Sequence, residues 1–106
     1  MTDTYFNKSA GIFKALAHPT RLKILHILEK EELCVCTIYE ALDLEQSNVS
    51  QHLKVLRDKD ILRTRREGPM IMYRISRPEI LSMLGESESF LKGILNETFE
   101  ELKGED

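Results

Sequence analysis

At 106 residues, with 42% apolar and 31% charged side chains, the chain has the size and balance of one folded domain, which excludes a disordered, collagenous or disulfide-dense secreted polypeptide. Its net charge of −3 argues against a nucleic-acid partner only as an average, since residues 46–77 hold eight basic and three acidic side chains while residues 1–45 hold five and seven and residues 78–106 two and eight. A middle third at +5 between flanks at −2 and −6 can meet a polyanion while the rest keeps the protein soluble.

Residues 4–17 place Phe6, Ala10, Phe13 and Leu16 or Ala17 at spacings of three and four, the period of one helical face. His18 precedes Pro19, a position that disfavours helix, and proline suits a first turn, so a second helix is predicted from Pro19 to about Lys30 with Leu22, Ile24, Leu25 and Leu28 as its stripe. Val35, Ile38 and Leu42 mark a third helix over Cys34–Leu42, and after the short linker Asp43–Glu45 a fourth carries Val49, Leu53 and Leu56 at i, i+4 and i+7. Two short helices joined by so short a turn read as helix-turn-helix. ILRTRRE and MIMYRIS, separated by Gly68 and Pro69, then read as a β-hairpin. From Arg77 and Pro78 to about Lys103 the apolar residues Ile80, Leu81, Leu84, Phe90, Leu91, Ile94, Leu95, Phe99 and Leu102 predict a last helix, which Gly85 and its neighbouring serines are expected to break or bend. The expected fold is therefore mainly α with a small β-hairpin wing, a winged helix-turn-helix of order α-α-α-α-β-β-α in a single domain over residues 1–106.

A DNA-reading helix needs an apolar side that seats it and a side of short polar groups that reach base edges and phosphates. The fourth helix has both: Val49, Leu53 and Leu56 turn in, and Gln46, Ser47, Asn48, Ser50, Gln51 and Lys54 turn out near the helix start, where backbone amides also favour phosphate. The hairpin adds Arg63, Arg65, Arg66 and Arg74 as a basic wing, and His52 is a further candidate phosphate contact. A merely solvated helix and a charged strand edge guarded against aggregation would explain each piece separately. DNA binding explains helix order, short turn, wing and charge block together.

No apolar run is long enough for a membrane span, and the opening MTDTYFNKSA has neither region of a secretory leader. A cytoplasmic location without a membrane partner is expected. Cys34 and Cys36 are too close for a bridge that would usefully staple the fold, so free thiols are expected. No nucleophile stands near a base at motif spacing and no phosphate loop is present, so an enzyme is not expected. A protein-interaction module built on the acidic last helix is the rival to a DNA-binding regulator.

The strings ALAHPTRLKIL, ELCVC, QSNVSQHLKVLRDKDILRTRREG and MYRI, within residues 10–76, resemble the arsenic-repressor (ArsR/SmtB) family of metal- and redox-responsive repressors. That resemblance implies a homodimer paired through the outermost helices, here residues 4–17 and 80–103. Both segments carry more apolar residues than a small body needs. Two copies of the reading helix then imply double-stranded DNA with an inverted-repeat operator, its half-sites roughly 10 bp apart. Glu45 departs from the small hydroxyl cap frequent in the family.

The resemblance also implies that Cys34 and Cys36 are ligands for a thiophilic metal or metalloid of arsenite, cadmium or lead type, acting as inducer with no obligatory cofactor. Where a third cysteine often stands in such sites this chain has Tyr39, and the histidines of the zinc-sensing subtype are absent from the last helix. Residues two apart in a helix point about 200° from each other, so joint chelation requires Cys34 at or before the first turn. Three readings stay open: a thiophilic inducer, a redox or reactive-sulfur sensor using the same thiols, and two cysteines packed as small apolar side chains. A regulator with no metal input is the remaining alternative.

Overall fold

The computed structural model describes residues 1–104. They fall into two compact units, the first Met1–Ser76 and the second starting at Arg77. The first holds α1 (Asp3–Leu16), α2 (Pro19–Ile27), β1 (Leu33–Cys34), α3 (Val35–Leu42), α4 (Gln46–Asp58), β2 (Leu62–Glu67) and β3 (Met70–Ile75). The second is α5 (Pro78–Gly104). The order and fold are those of a winged helix-turn-helix.

The helix starts follow from local chemistry. Thr2 caps α1 by accepting from the Tyr5 amide at 3.2 Å, and His18 caps α2 by accepting from the Thr20 amide at its Nδ1 at 3.1 Å, with Pro19 in the first turn. α2 ends at Ile27, short of the predicted Lys30, because its last turn tightens and the Glu29 amide donates to the His26 carbonyl. At the end of α3, Asp43 takes a left-handed conformation (φ 54°) and the Leu44 amide returns to the Tyr39 carbonyl, which turns the chain into α4 within three residues.

The core of the first unit is Ile24 and Leu25 of α2, Ile38 of α3, Val49, Leu53 and Leu56 of α4, and Ile61 and Leu62 at the entry to β2, all essentially inaccessible. The stripe of α2 needs correction at Leu22, and that of α1 is only partly covered within this unit. In α1 the buried residues are Ala15 and Leu16, while Phe6 and Phe13 stand 58% and 61% exposed. In α2, Leu22 is also exposed. Helical spacing identifies a stripe but does not say which body covers it.

The sheet has three strands in the order β1-β3-β2, all antiparallel. The hairpin register pairs Arg63 with Arg74 and Arg65 with Met72 around a turn in which Gly68 adopts φ 59°. β1 was not anticipated: it pairs Leu33 with Tyr73 and Cys34 with Met72, and two residues are too few to show a period. In the second unit α5 runs unbroken for 27 residues, so Gly85 does not interrupt it. Its Phe90, Leu91, Ile94, Leu95, Phe99 and Leu102 are all exposed. Among the described residues no helix is long and apolar enough to cross a membrane.

Candidate nucleic-acid interface and the cysteine pair beside it

α4 is two-sided, as its pattern predicts. Val49, Leu53 and Leu56 are at 0% exposure, and Gln46, Ser47, Asn48, Ser50, Gln51 and Lys54 are exposed. Amide and hydroxyl groups both donate and accept, the capacity that base edges demand. Its first turn has no side-chain cap: Glu45 occupies the cap position and makes no such hydrogen bond. The leading amides of α4 therefore carry no side-chain partner from Glu45.

His52 is placed differently from the other α4 candidates. It is half-buried, its Nδ1 accepts from Arg21 Nε at 3.1 Å, and its ring lies 4.4 Å from that of His18. Arg21 also donates to the Ala15 carbonyl at 3.2 Å. Burial, with His18 and Arg21 adding repulsion, holds the imidazole below its ordinary pKa near 6.5. The ring thus ties α4 to α2. Arg21, which sequence patterning did not single out, is the residue that completes this tie.

The wing cations are unequal. Arg63 bonds Asp60 at 3.4 and 3.5 Å, and Lys54 of α4 bonds Asp58 at 2.8 Å, which keeps the Asp58 carboxyl below the usual carboxylate range. Arg65 is held more firmly, by Glu32 through Nε (2.7 Å) and Nη2, and by Glu67 at 3.3 Å. The guanidinium lowers the Glu32 pKa and is itself raised by the pair. Arg66 is exposed and makes no ion pair among the described residues. Glu32 is a second unanticipated residue; it precedes β1 by one position, so its strand neighbours became visible only with the sheet.

The expectation of free thiols is corrected: Cys34 and Cys36 are joined as a disulfide, with Cα atoms 5.4 Å apart. The reason is the chain direction at the start of α3. Cys34 is not in the helix but ends β1 and caps α3 in an extended conformation (φ −78°, ψ 161°). Its side chain consequently does not follow the helical rotation that would set it opposite Cys36. Cys34 Sγ accepts from the Thr37 amide at 3.4 Å and lies 3.3 Å from the Thr37 hydroxyl. Cys34 is buried and Cys36 half-buried.

The pair opens onto a cleft of about 380 Å³ lined by Cys34, Cys36, Gln46, Ser50, Met70 and Tyr73, among others. The cleft brings together three segments remote in sequence: the sulfurs, the first turn of α4 and the wing. Met70 and Tyr73 are its unanticipated members; in the sequence they read only as strand residues.

A helix seated by Val49, Leu53 and Leu56, entered from α3 by a three-residue turn and followed by an arginine-bearing hairpin, defines a winged helix-turn-helix DNA-binding protein. The profile described as "Bacterial regulatory protein, arsR family" matches residues 18–64. The chain is 38% identical over 86 residues to the arsenic resistance transcriptional regulator ArsR1 of Pseudomonas putida, a match that takes in 80% of this chain and 64% of that protein's length. It is 33% identical over 97 residues to Rv0081, an uncharacterized HTH-type transcriptional regulator of Mycobacterium tuberculosis, covering 91% of this chain and 85% of the other. The crystal structure of Rv0081 superposes with a TM-score of 0.81 over 92% and 97% of the two chains, at 34% identity. A homodimeric winged helix-turn-helix DNA-binding domain of Mycobacterium bovis, solved in solution, superposes with a TM-score of 0.83 at 26% identity, over 92% and 93% of the chains. The chain belongs to the arsR family of bacterial regulatory proteins; it is a DNA-binding transcriptional regulator and not an enzyme.

Proposed function

We propose that this regulator is a repressor that binds an inverted-repeat operator as a homodimer, and that joining the sulfurs of Cys34 and Cys36 releases it. The observation that carries the reading is the disulfide at the wall of a cleft whose other walls are Gln46 and Ser50 of α4 and Met70 of the wing. A bond made or broken there acts directly on the elements that meet DNA. Oxidation needs no ligand beyond the two sulfurs. Homodimerisation is supported by the exposed Tyr5, Phe6 and Phe13 of α1 and by the exposed apolar residues of α5, which contiguous burial against a second copy would take out of water. The Mycobacterium bovis relative was solved as a homodimer.

A second reading, a thiophilic metal or metalloid at the reduced pair, is favoured by the likeness to an arsenic resistance regulator. The two sulfurs are close enough to share one soft ion. Among the described residues no group of three His, Cys, Asp or Glu can hold a metal, so further coordination would come from solvent or small ligands. Both readings join the two sulfurs and both predict release.

The test is operator affinity, measured by gel shift on the DNA upstream of the protein's own gene. The dithiothreitol-reduced protein is compared with the diamide-oxidised protein and with reduced protein titrated with arsenite, cadmium, lead or zinc. Oxidation is expected to weaken specific binding about tenfold or more, a coupling of ordinary size. The Cys34→Ser/Cys36→Ser double variant should bind like the reduced form under all conditions. Equal affinity of oxidised and reduced protein would overturn the redox reading, release by an ion alone would select the second, and absence of salt-sensitive binding to any inverted repeat would overturn repression itself.

A further inference from the structure

Resting on the redox reading above, we infer that the cleft beside Cys36 is a binding site for a low-molecular-weight thiol with an apolar substituent, captured as a mixed disulfide on Cys36. Three observations converge. Cys36 is the more accessible of the two sulfur-bearing residues, whereas Cys34 is buried at 7% exposure. Cys34 is also the better leaving group, because the Thr37 amide and hydroxyl at 3.4 and 3.3 Å stand ready to stabilise its thiolate. The cleft wall facing the pair is largely apolar, with Met70, Ile71 and Tyr73, and its polar groups, Gln46 and Ser50, belong to α4.

The reaction is a thiol–disulfide exchange and needs no external oxidant. The incoming thiol loses its proton to solvent, and its thiolate attacks the Cys36 sulfur. A new sulfur–sulfur bond forms to Cys36, the Cys34–Cys36 bond breaks, and the bonding electron pair leaves on Cys34 as thiolate. The substituent then lies in the cleft next to Gln46 and Ser50, on the DNA-reading helix. The thiol is thereby an effector with a shape requirement, and not only a reductant.

The test uses the oxidised full chain with benzyl mercaptan and with 2-mercaptoethanol at matched concentration, quenched in acid, alkylated and mapped by peptide mass. The expected result is the thiol on Cys36, the alkyl label on Cys34, and about tenfold more adduct with the benzyl thiol, as roughly 1.4 kcal/mol of preferential binding gives. Met70→Glu, at a residue 43% exposed, should bring that ratio close to one, with Ile71→Ser as a second variant should the first fail to fold. An adduct on Cys34, equal yields from the two thiols, or a ratio unmoved by both variants would overturn the site. Dithiothreitol separates the two ideas: if it still changes operator affinity while no Cys36 adduct forms, the redox reading stands and this site does not.

Discussion

The two helices of the reading motif begin in opposite ways. α3 starts on a sulfur cap, with Cys34 satisfying the Thr37 amide, whereas α4 starts at Glu45 with no side-chain cap at all. Capping closes a helix end against other partners, and an uncapped end leaves its amides to water or to an anion. The closed end therefore sits where the cysteine pair is, and the open end where phosphate is expected. The two helices differ in what each does with its first amides.

The largest effect is expected where α4 loses its seat. Leu53→Ala removes a fully buried side chain, and urea unfolding should show a loss of about 2–5 kcal/mol with operator binding abolished alongside. If stability held, the apolar side of α4 would not be what positions its polar side.

Smaller effects are expected on the outer surface. Gln51→Ala should cost about 1–3 kcal/mol on the operator and relax sequence preference, while Arg66→Ala should weaken operator and random DNA alike and lower the salt slope by about 1. Arg65→Ala should matter less than Arg66→Ala, because Glu32 and Glu67 already hold its guanidinium. Competition binding at several salt concentrations distinguishes these outcomes; a uniform loss for Gln51→Ala would remove α4 as the reader.

Giving α4 the cap it lacks sharpens the contrast. Glu45→Ser should stabilise the fold by about 1 kcal/mol in thermal unfolding and, if the start of α4 meets phosphate as proposed, strengthen operator binding by removing a carboxylate there. An unchanged melting temperature would mean that the end is already satisfied.

The smallest effect concerns the tie between α4 and α2. His52 titrates below its ordinary value near 6.5 in the folded protein, so the unfolded chain takes up a proton that the folded one resists. Stability should be full above that value and fall as pH drops through it toward the lowered folded value. His52→Gln should flatten that part of the pH profile, and an unaltered slope would move the effect to other groups.

Much of this was legible without coordinates, for a physical reason: helical and strand periods are local. Val49, Leu53 and Leu56 show their inward side by spacing alone, and Gln46, Ser47, Asn48, Ser50 and Gln51 are outward as the complement. Pro19, Gly68 and the three-residue turn after Leu42 are likewise properties of neighbouring residues. The order of the helices and the hairpin, the two-sided character of α4 and the arginines of the wing were thus fixed locally, and β1 was not.

Tertiary structure decided what depends on partners far along the chain. The spacing of Phe6 and Phe13 cannot say that they remain exposed while Ala15 and Leu16 are buried. Nothing local marks Glu32 as the partner of Arg65 or Arg21 as that of His52. The cysteine pair shows the division most sharply. Residues two positions apart diverge in a helix, and only the pairing of Leu33 and Cys34 with β3 holds Cys34 outside α3, where its sulfur meets that of Cys36.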